Sequence, residues 1–184
     1  MLVRHADPSR DGQGCAAIYE PFVRRTAVSF EEDVPDAREF SQRIQELSTR
    51  YPWLVAEEDG AVAGYAYAAQ HRDRASYRWA ADVTVYVGEG WRSRGVGRAL
   101  YGALLPLLPR QGLQIACAGI TLPNEASVAL HESFGFELVG VYRRIGWKLG
   151  AWRDVGWWQL ALVPASEDPP AELGPPARLE SKWS

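Results

Sequence analysis

The stretch from Val83 to Leu100, VTVYVGEGWRSRGVGRAL, decides the fold. Its alternating start predicts a β-strand with Val83, Val85 and Val87 on one face and Asp82, Thr84 and Tyr86 on the other. A basic, glycine-spaced loop from Arg92 to Gly97 follows and leads directly into a helix. Free N–H groups at a helix start, with glycines that permit close approach, favour binding of a phosphate group. The sequence therefore predicts an anion-binding loop at the end of a central strand.

The composition is that of an ordinary globular protein. Of the 184 residues, 47% are hydrophobic and 23% are charged, which suits one domain with a sizeable core. The net charge of −3 at pH 7 argues against nucleic acid as a partner. No apolar run reaches the ~20 residues of a membrane span, and the N-terminal residues show no signal-peptide core. We therefore expect a cytoplasmic protein with no membrane partner.

The cysteines and histidines do not form a metal-binding pattern. Cys15 and Cys117 are expected to be reduced thiols, and neither lies in a motif typical of a catalytic nucleophile. The three histidines lack the spacing of metal ligands, so we expect no bound metal.

Strands and helices alternate around the central stretch, and hairpins lie at both ends. Hydrophobic periodicity and turn residues predict strands at residues 2–4, 53–57, 61–69, 113–118, 137–148 and 155–163 and helices at 9–23, 36–50, 96–107 and 126–134. Residues 26–30 are either a strand or a loop, and Pro106 is expected to end or kink its helix. The pattern predicts an α/β (α+β) fold with a mixed sheet covered by helices on both faces. Residues 1–163 form one predicted domain, and the Pro-rich segment 164–184 is a predicted flexible or draped tail.

Two motifs together carry a family resemblance. Arg92-x-x-Gly95-x-Gly97 is followed by N-x-x-S-x-x-L-H-E-x-x-G-F, which begins at Asn124. This pair resembles the central motifs of the GNAT superfamily of acyl-CoA-dependent N-acetyltransferases, over roughly residues 2–163. The resemblance implies a mostly antiparallel central sheet and acetyl-CoA as co-substrate.

Several further segments narrow the resemblance. YPWLVAE at 51–57, TVYV at 84–87 and WRDVGWWQL at 152–160 resemble the phosphinothricin and methionine sulfoximine N-acetyltransferases. That resemblance implies acetylation of the α-amino group of a small amino acid, by direct transfer in a ternary complex. Two alternatives stay open: another amine acceptor, such as a polyamine, an aminoglycoside or a peptide N-terminus, or a non-catalytic acyl-CoA-binding module.

The resemblance implies a set of cofactor-binding residues. The backbone of Val85, Tyr86 and Val87 would pair with the pantetheine arm, and the pyrophosphate would be bound by Arg92, Ser93, Arg94, Gly95, Val96, Gly97 and Arg98. Asn124 and Ser127 would lie near the reactive end of the cofactor. For the loop the alternative is a plain surface turn, and for Asn124 it is helix capping, which is compatible with cofactor contact.

Asp82 and His131 are the predicted catalytic residues. The reaction needs a base near the amine, and Asp82 stands where the resembled enzymes carry Glu, one methylene longer. The shorter arm favours relay through water over direct contact. His131 would protonate the departing thiolate or act as the base. The alternatives are a strand-end hydrogen-bonding role for Asp82 and a buried core role for His131.

Substrate-binding residues are implied at two places. Arg72, Arg74 and Tyr77 resemble positions that bind the carboxylate and side-chain anion, and arginine forks match such groups. Phe30 and Val155 are predicted apolar pocket walls. The C-terminal tryptophans predict core or a dimer interface, and we expect a homodimer whose pocket is partly closed by the partner's C-terminal strands.

Overall fold

Seven β-strands form one sheet in the computed structural model, which describes residues 1–179 of the chain. In chain order the strands are β1 (Leu2–His5), β2 (Trp53–Glu58), β3 (Ala61–Gln70), β4 (Ala80–Val87), β5 (Ile115–Leu122), β6 (Glu137–Lys148) and β7 (Ala151–Ala161). Across the sheet their order is β1-β2-β3-β4-β5-β7-β6, and only the β4–β5 pair is parallel. The predicted mixed, mostly antiparallel sheet is confirmed.

Helices cover both faces of the sheet, as predicted. The α-helices of the described residues are α1 (Pro8–Arg25), α2 (Ala37–Ser48), α3 (Val96–Leu104), α4 (Leu107–Gln111) and α5 (Glu125–Glu132). Helices α1 and α2 pack on one face around an aromatic cluster that includes Tyr19, Phe40 and Tyr65. Helices α3 to α5 pack on the opposite face, where Leu100 and Leu104 are fully buried. Among the described residues, no helix is both long enough and apolar enough to span a lipid bilayer.

Alternate side chains of β4 point to opposite faces of the sheet, as the alternating sequence of this strand predicts. Val83, Val85 and Val87 pack on the side of α3. The Tyr86 ring points to the other side, where its centroid lies 5.0 Å from that of Tyr19 and 4.9 Å from that of Phe22. The period of two in this strand is thus set by burial on both faces.

Most predicted element ends are close to the observed ones, and the two main exceptions follow from strand pairing. Asp36 caps α2 by accepting a hydrogen bond from the Glu39 N–H at 2.8 Å, and Pro106 separates α3 from α4. Residues 26–30 form a loop. Strand β5 runs past the predicted end at residue 118 because its antiparallel partner β7 stays in register with it as far as Leu122. Likewise, β7 begins at Ala151, before the predicted residue 155, because β6 pairs with it there.

The segment after residue 163 lies against the body of the protein. The Trp79 Nε1–H donates to the Ala171 carbonyl at 2.8 Å, and the Leu179 N–H donates to His5 Nε2 at 3.0 Å. The Leu173 side chain packs against the main core. Residues 180–184 of the predicted tail lie outside the described residues.

A buried ion pair joins β1 to α1 and generates the first prediction. Asp11 is fully buried and accepts three hydrogen bonds of 2.7 Å, two from the Arg4 guanidinium and one from the Asp7 N–H. Asp11→Ala would remove these three hydrogen bonds and leave the Asp7 N–H without its acceptor, while Arg4 would keep Glu57 as a carboxylate partner at 2.8 Å. The variant should therefore lower the free energy of unfolding by about 3 kcal/mol in urea denaturation. The exposed Glu20, paired with Arg24 in the same helix, provides the control, and Glu20→Ala should change it by less than about 0.5 kcal/mol. Equal effects of the two variants would contradict this interpretation.

Candidate active site

Strands β4 and β5 pair only where both begin, and then they separate. Their parallel register covers three residue pairs, of which Asp82–Cys117 is the last. Beyond it β4 stays paired with β3 as far as Val87, whereas β5 stays paired with β7 as far as Leu122. Within the described residues, the edge of β4 that faces β5 therefore has no strand partner from Val83 onward. Its backbone polar groups are available to a ligand.

A small cavity occupies the space between the diverging strands. Its volume is about 90 Å³. Its lining includes Thr84, Val85, Gly119, Thr121, Asn124 and His131. The cavity thus joins the free edge of β4 to the start and the buried face of α5.

The predicted anion-binding loop ends at the N-terminus of α3. Gly95 is the N-cap residue with φ 81°, a left-handed conformation that glycine adopts without strain. Among the described residues no side chain caps this helix, so its first N–H groups are free for an anion. Glycine is favoured at position 97 because a Cβ there would lie only 3.1 Å from the Leu130 side chain of α5. The first glycine of the motif shapes the turn, and the second allows the two helices to approach.

Three arginines surround this helix start. Arg94 forms an ion pair with Glu58 at 3.4 Å. Arg92 and Arg98 have no carboxylate partner among the described residues, and their guanidinium groups lie over the rings of Phe22 at 5.3 Å and Phe134 at 5.7 Å. Such contacts hold the side chains without neutralising their charge. The loop therefore keeps a net positive charge next to free N–H groups.

Asn124 begins α5 and also lines the cavity. Its Oδ1 accepts a hydrogen bond from the Ser127 N–H at 3.2 Å, which is the capping role that the sequence left open. Because the cap fixes the side chain at the cavity, capping and ligand contact are compatible. Both Asn124 and Ser127 line the cavity.

His131 is buried, and both of its ring nitrogens have partners. Nδ1 lies 2.7 Å from the Ser127 carbonyl, which can only accept, so Nδ1 carries the proton. Nε2 therefore accepts from the Tyr101 hydroxyl at 2.9 Å. Burial lowers the pKa of His131, so the neutral form is favoured. Both Tyr101 and His131 line the cavity, and this geometry favours a role of His131 through Tyr101.

Asp82 is hydrogen-bonded to a histidine that the sequence did not assign to the site. His71 Nδ1 lies 2.6 Å from Asp82 Oδ1, in a pair whose side chains are 16% and 30% exposed. Burial raises the pKa of Asp82, and the hydrogen bond from His71 opposes that effect. The pair marks the point where β4 and β5 separate.

The Cys117 thiol completes a group of three potential metal ligands. The ligand atoms of His71, Asp82 and Cys117 lie within 4.8 Å of one another. Burial raises the pKa of Cys117 to about 11. Two members of this group, His71 and Asp82, are hydrogen-bonded to each other.

The predicted anion-binding side chains lie in the connection between β3 and β4, next to this pair. The Arg72 guanidinium lies 5.3 Å from the Trp157 ring centroid. Tyr77 is 46% exposed, and its ring centroid lies 6.0 Å from that of His71. Arg74 is exposed and precedes the short 3-10 turn that contains Tyr77. The structure thus brings Arg72 and Tyr77 to the His71–Asp82 pair and leaves Arg74 exposed.

The remaining predicted residues either lie farther from the His71–Asp82 pair or present only their backbone to a ligand. Phe30 is 40% exposed, and its ring lies against the backbone of Gly146 in β6. Val155 lies in β7 opposite Thr121, which lines the cavity. The Tyr86 side chain is enclosed by aromatic rings, so only its backbone is available to a ligand.

Sequence reasoning missed His71, Tyr101 and Trp157. His71 lies two residues after Ala69, and the β3–β4 register places Ala69 opposite Asp82, so His71 is the diagonal neighbour of Asp82. Trp157 is positioned by its pairing with Gly119, and its ring centroid lies 5.8 Å from that of His71. The only signal in the sequence for His71 was its place beside Arg72 in a polar connection.

Comparison with known proteins agrees with this geometry. Residues 8–157 match the family described as the acetyltransferase (GNAT) domain. The chain is 38% identical over 163 residues to phosphinothricin N-acetyltransferase of Streptomyces viridochromogenes, which covers 88% of this chain and 87% of that protein. It is 33% identical over 166 residues to the L-methionine sulfoximine/L-methionine sulfone acetyltransferase of Salmonella typhimurium, which covers 88% of this chain and 95% of that protein.

A solved structure shows the same likeness in three dimensions. The GNAT superfamily phosphinothricin acetyltransferase of Sinorhizobium meliloti in complex with AcCoA superposes with a TM-score of 0.87 and 32% identity, and the match covers 92% of each chain. The shared fold and the family match over most of the length confirm the resemblance derived from the two motifs. The chain belongs to the GNAT acetyltransferase family.

Proposed function

We propose that this protein transfers the acetyl group of acetyl-CoA to the α-amino group of a small amino acid such as phosphinothricin or methionine sulfoximine. The observation that carries the proposal is the opening between β4 and β5. The opening begins beside Asp82, the last β4 residue paired with β5, which is hydrogen-bonded to His71. At the other end of β4, the Val87 side chain lies close to Gly97 in the first turn of α3. A linear cofactor and a small anionic acceptor can therefore meet in this opening. The names of the two relatives support the same class of acceptor.

Acetyl-CoA binds along β4 and at the start of α3. The pyrophosphate accepts hydrogen bonds from the free N–H groups after Gly95, and Arg92 and Arg98 add positive charge. The pantetheine amides pair with the free backbone edge from Val85 to Val87, as an added strand would. Asn124 and Ser127 contact the reactive end.

The acceptor is bound by its negative groups. Arg72, Arg74 and Tyr77 face its carboxylate and side-chain anion, with Phe30 and Val155 as apolar walls. A cationic polyamine or aminoglycoside would meet positive charge at this place, which disfavours those alternatives. The charge of the acceptor is therefore the first property by which the pocket distinguishes substrates, and the shape of the acceptor is the second.

The acetyl group passes directly from sulfur to nitrogen. Cys15 is fully buried, and burial raises its pKa far above the usual range, while that of Cys117 is raised to about 11. Neither cysteine supplies a thiolate for a covalent intermediate. Holding the amine against the thioester carbonyl supplies several kcal/mol of the barrier, and a backbone N–H near Val85 polarises the carbonyl.

A homodimer completes the pocket. Strand β6 forms a sheet edge, and it exposes apolar side chains that include Leu138, Val139, Ile145 and Trp147. Exposed apolar groups on an edge strand favour association, and a second copy covers them symmetrically. We also place the protein in the cytoplasm, because acetyl-CoA is available there and two free thiols are compatible with that compartment.

The proposed activity predicts release of CoA thiol with anionic amino acids. Purified protein with acetyl-CoA should release thiol in the presence of phosphinothricin or methionine sulfoximine, and the acceptor should gain an acetyl group by mass spectrometry. Spermidine should give no release above the background. Turnover with spermidine alone would move the protein to another acceptor class. Acetyl-CoA binding without release over the whole panel would make it a binding module.

The cofactor site predicts a specific effect of Arg98. Removal of one charge-assisted contact to a phosphate should raise the KM for acetyl-CoA about tenfold and leave the KM for the amino acid unchanged. Arg38 is an exposed arginine of α2, on the other face of the sheet, so Arg38→Ala is the matched control. Steady-state kinetics of both variants test this. Equal values for Arg98→Ala and Arg38→Ala would remove Arg98 from the cofactor site.

If β6 forms the dimer interface, a charged side chain introduced on this strand should convert the dimer into monomers. The Trp147 side chain is 58% exposed, and Trp147→Asp should shift sedimentation from dimer to monomer because the new charge would be buried in the interface. Leu2 is 36% exposed at the opposite sheet edge, so Leu2→Asp should leave the dimer intact. A monomeric wild-type protein at micromolar concentration would exclude the homodimer.

A further inference from the structure

Asp82 and His71 are arranged as an orienting carboxylate and an imidazole. The distance of 2.6 Å joins Oδ1 of Asp82 to Nδ1 of His71. An ionised carboxylate can only accept a hydrogen bond, so Nδ1 is the protonated nitrogen. The other nitrogen, Nε2, then carries the free lone pair. A carboxylate at Nδ1 fixes the tautomer and stabilises the imidazolium that forms when Nε2 takes a proton.

The surroundings of His71 shield the ring but leave it accessible. Its side chain is 16% exposed, and it packs edge-on against Tyr77 at 6.0 Å and Trp157 at 5.8 Å between centroids. Arg72 stacks on the same tryptophan, so the proposed anion-binding group lies beside the imidazole. An amino acid bound by Arg72 would present its amino group near Nε2.

The pair also lies where the thioester must be. Asp82 and Cys117 are the last paired residues before β4 and β5 separate, and the cavity begins with Val83 and Thr84. A cofactor along the free edge of β4 therefore ends close to His71. The Asp82 side chain is short, whereas the imidazole extends the reach of the pair by the width of a ring.

We propose that His71 is the general base that removes the proton from the acceptor amine, with Asp82 as its positioning residue. The inference rests on the proposed function and refines it. An imidazole matches this task because its ordinary pKa lies near the working pH, whereas that of a carboxylate lies well below it. Asp82 acts through His71 and does not itself contact the amine.

The proton balance of the step is as follows. The ammonium first loses one proton through Nε2 to solvent, which gives the neutral amine. Its lone pair forms the C–N bond, the C–S bond breaks, and the bonding pair leaves on sulfur. Nε2 takes the second proton from the nitrogen, and that proton ends on the thiolate as CoA–SH. The imidazole is neutral again after each turnover.

The other titratable and charged groups around His71 and Asp82 do not take up a proton in the same pH range. They are Cys117 on β5, Tyr67 on β3, Tyr77 in the 3-10 turn and Arg72 in the connection. The pKa of Cys117 is raised to about 11 and that of Tyr67 is also raised, both chiefly by burial. Arginine keeps its charge throughout. Cys117, Tyr67 and Arg72 would therefore not account for a change in the acidic limb of the rate profile when His71 is replaced.

The test compares His71→Asn with the wild-type enzyme. The Asn amide keeps a donor for Asp82 and removes Nε2, so a merely structural role would survive. As a base, His71 contributes about 100-fold or more, and kcat should fall by that factor while the KM for acetyl-CoA changes less than twofold. The low-pH limb of kcat/KM should vanish, leaving a rate that follows the fraction of neutral amine. Imidazole added to His71→Ala should restore part of kcat.

His5 provides the matched control for the His71 variants. His5 lies in β1 with its Nε2 bound to the Leu179 N–H, and His5→Gln should keep kcat within about twofold, as expected for a residue remote from the chemistry. If wild-type enzyme is active and His71→Asn retains kcat within threefold, His71 is not the base. If wild-type enzyme releases no thiol with any amino acid, the proposed function itself fails. If His71→Asn does not fold, absence of imidazole rescue in folded His71→Ala or His71→Gln would overturn the inference.

Discussion

The separation of β4 from β5 after Asp82 and Cys117 is the constraint on which the rest of the site depends. Both strands keep a partner on their outer side, so neither loses its place when the inner pairing stops. What remains is a row of backbone donors and acceptors on β4 that native structures normally satisfy. A ligand with amide groups along its length meets that need, which explains why an extended cofactor suits this opening.

The features that the sequence predicts are local ones. Gly95 adopts a left-handed φ in the turn that begins α3. Asn124 caps α5 through the N–H of Ser127, three residues further along the chain. The alternation in β4 is also local, because burial on both faces imposes the period of two. Such features depend on neighbours in the chain, so the position of the glycine loop at the start of α3, the central strand and most element types were predicted correctly.

The features that the sequence does not predict depend on register between distant segments. His71 reaches Asp82 only because Ala69 lies opposite Asp82 across a long connection, and no residue in that connection fixes the pairing beforehand. Tyr101 reaches His131 from another helix, and their bond changes the role available to the imidazole. His131 lines the cavity, and its two hydrogen bonds could not be deduced from its position in a motif.

The division of the site between elements has a consequence for specificity. The groups proposed to face the cofactor lie on β4, α3 and α5, which pack in the main core. The groups proposed for the acceptor lie in the connection between β3 and β4, and Arg72 is held there by stacking on Trp157 of β7. Because the connection precedes β4 and lies outside these elements, its side chains can change without moving the proposed cofactor site. On the proposed function, acceptor choice would therefore depend on residues 71–77 and Trp157, and the acetyl-transfer geometry would depend on the sheet.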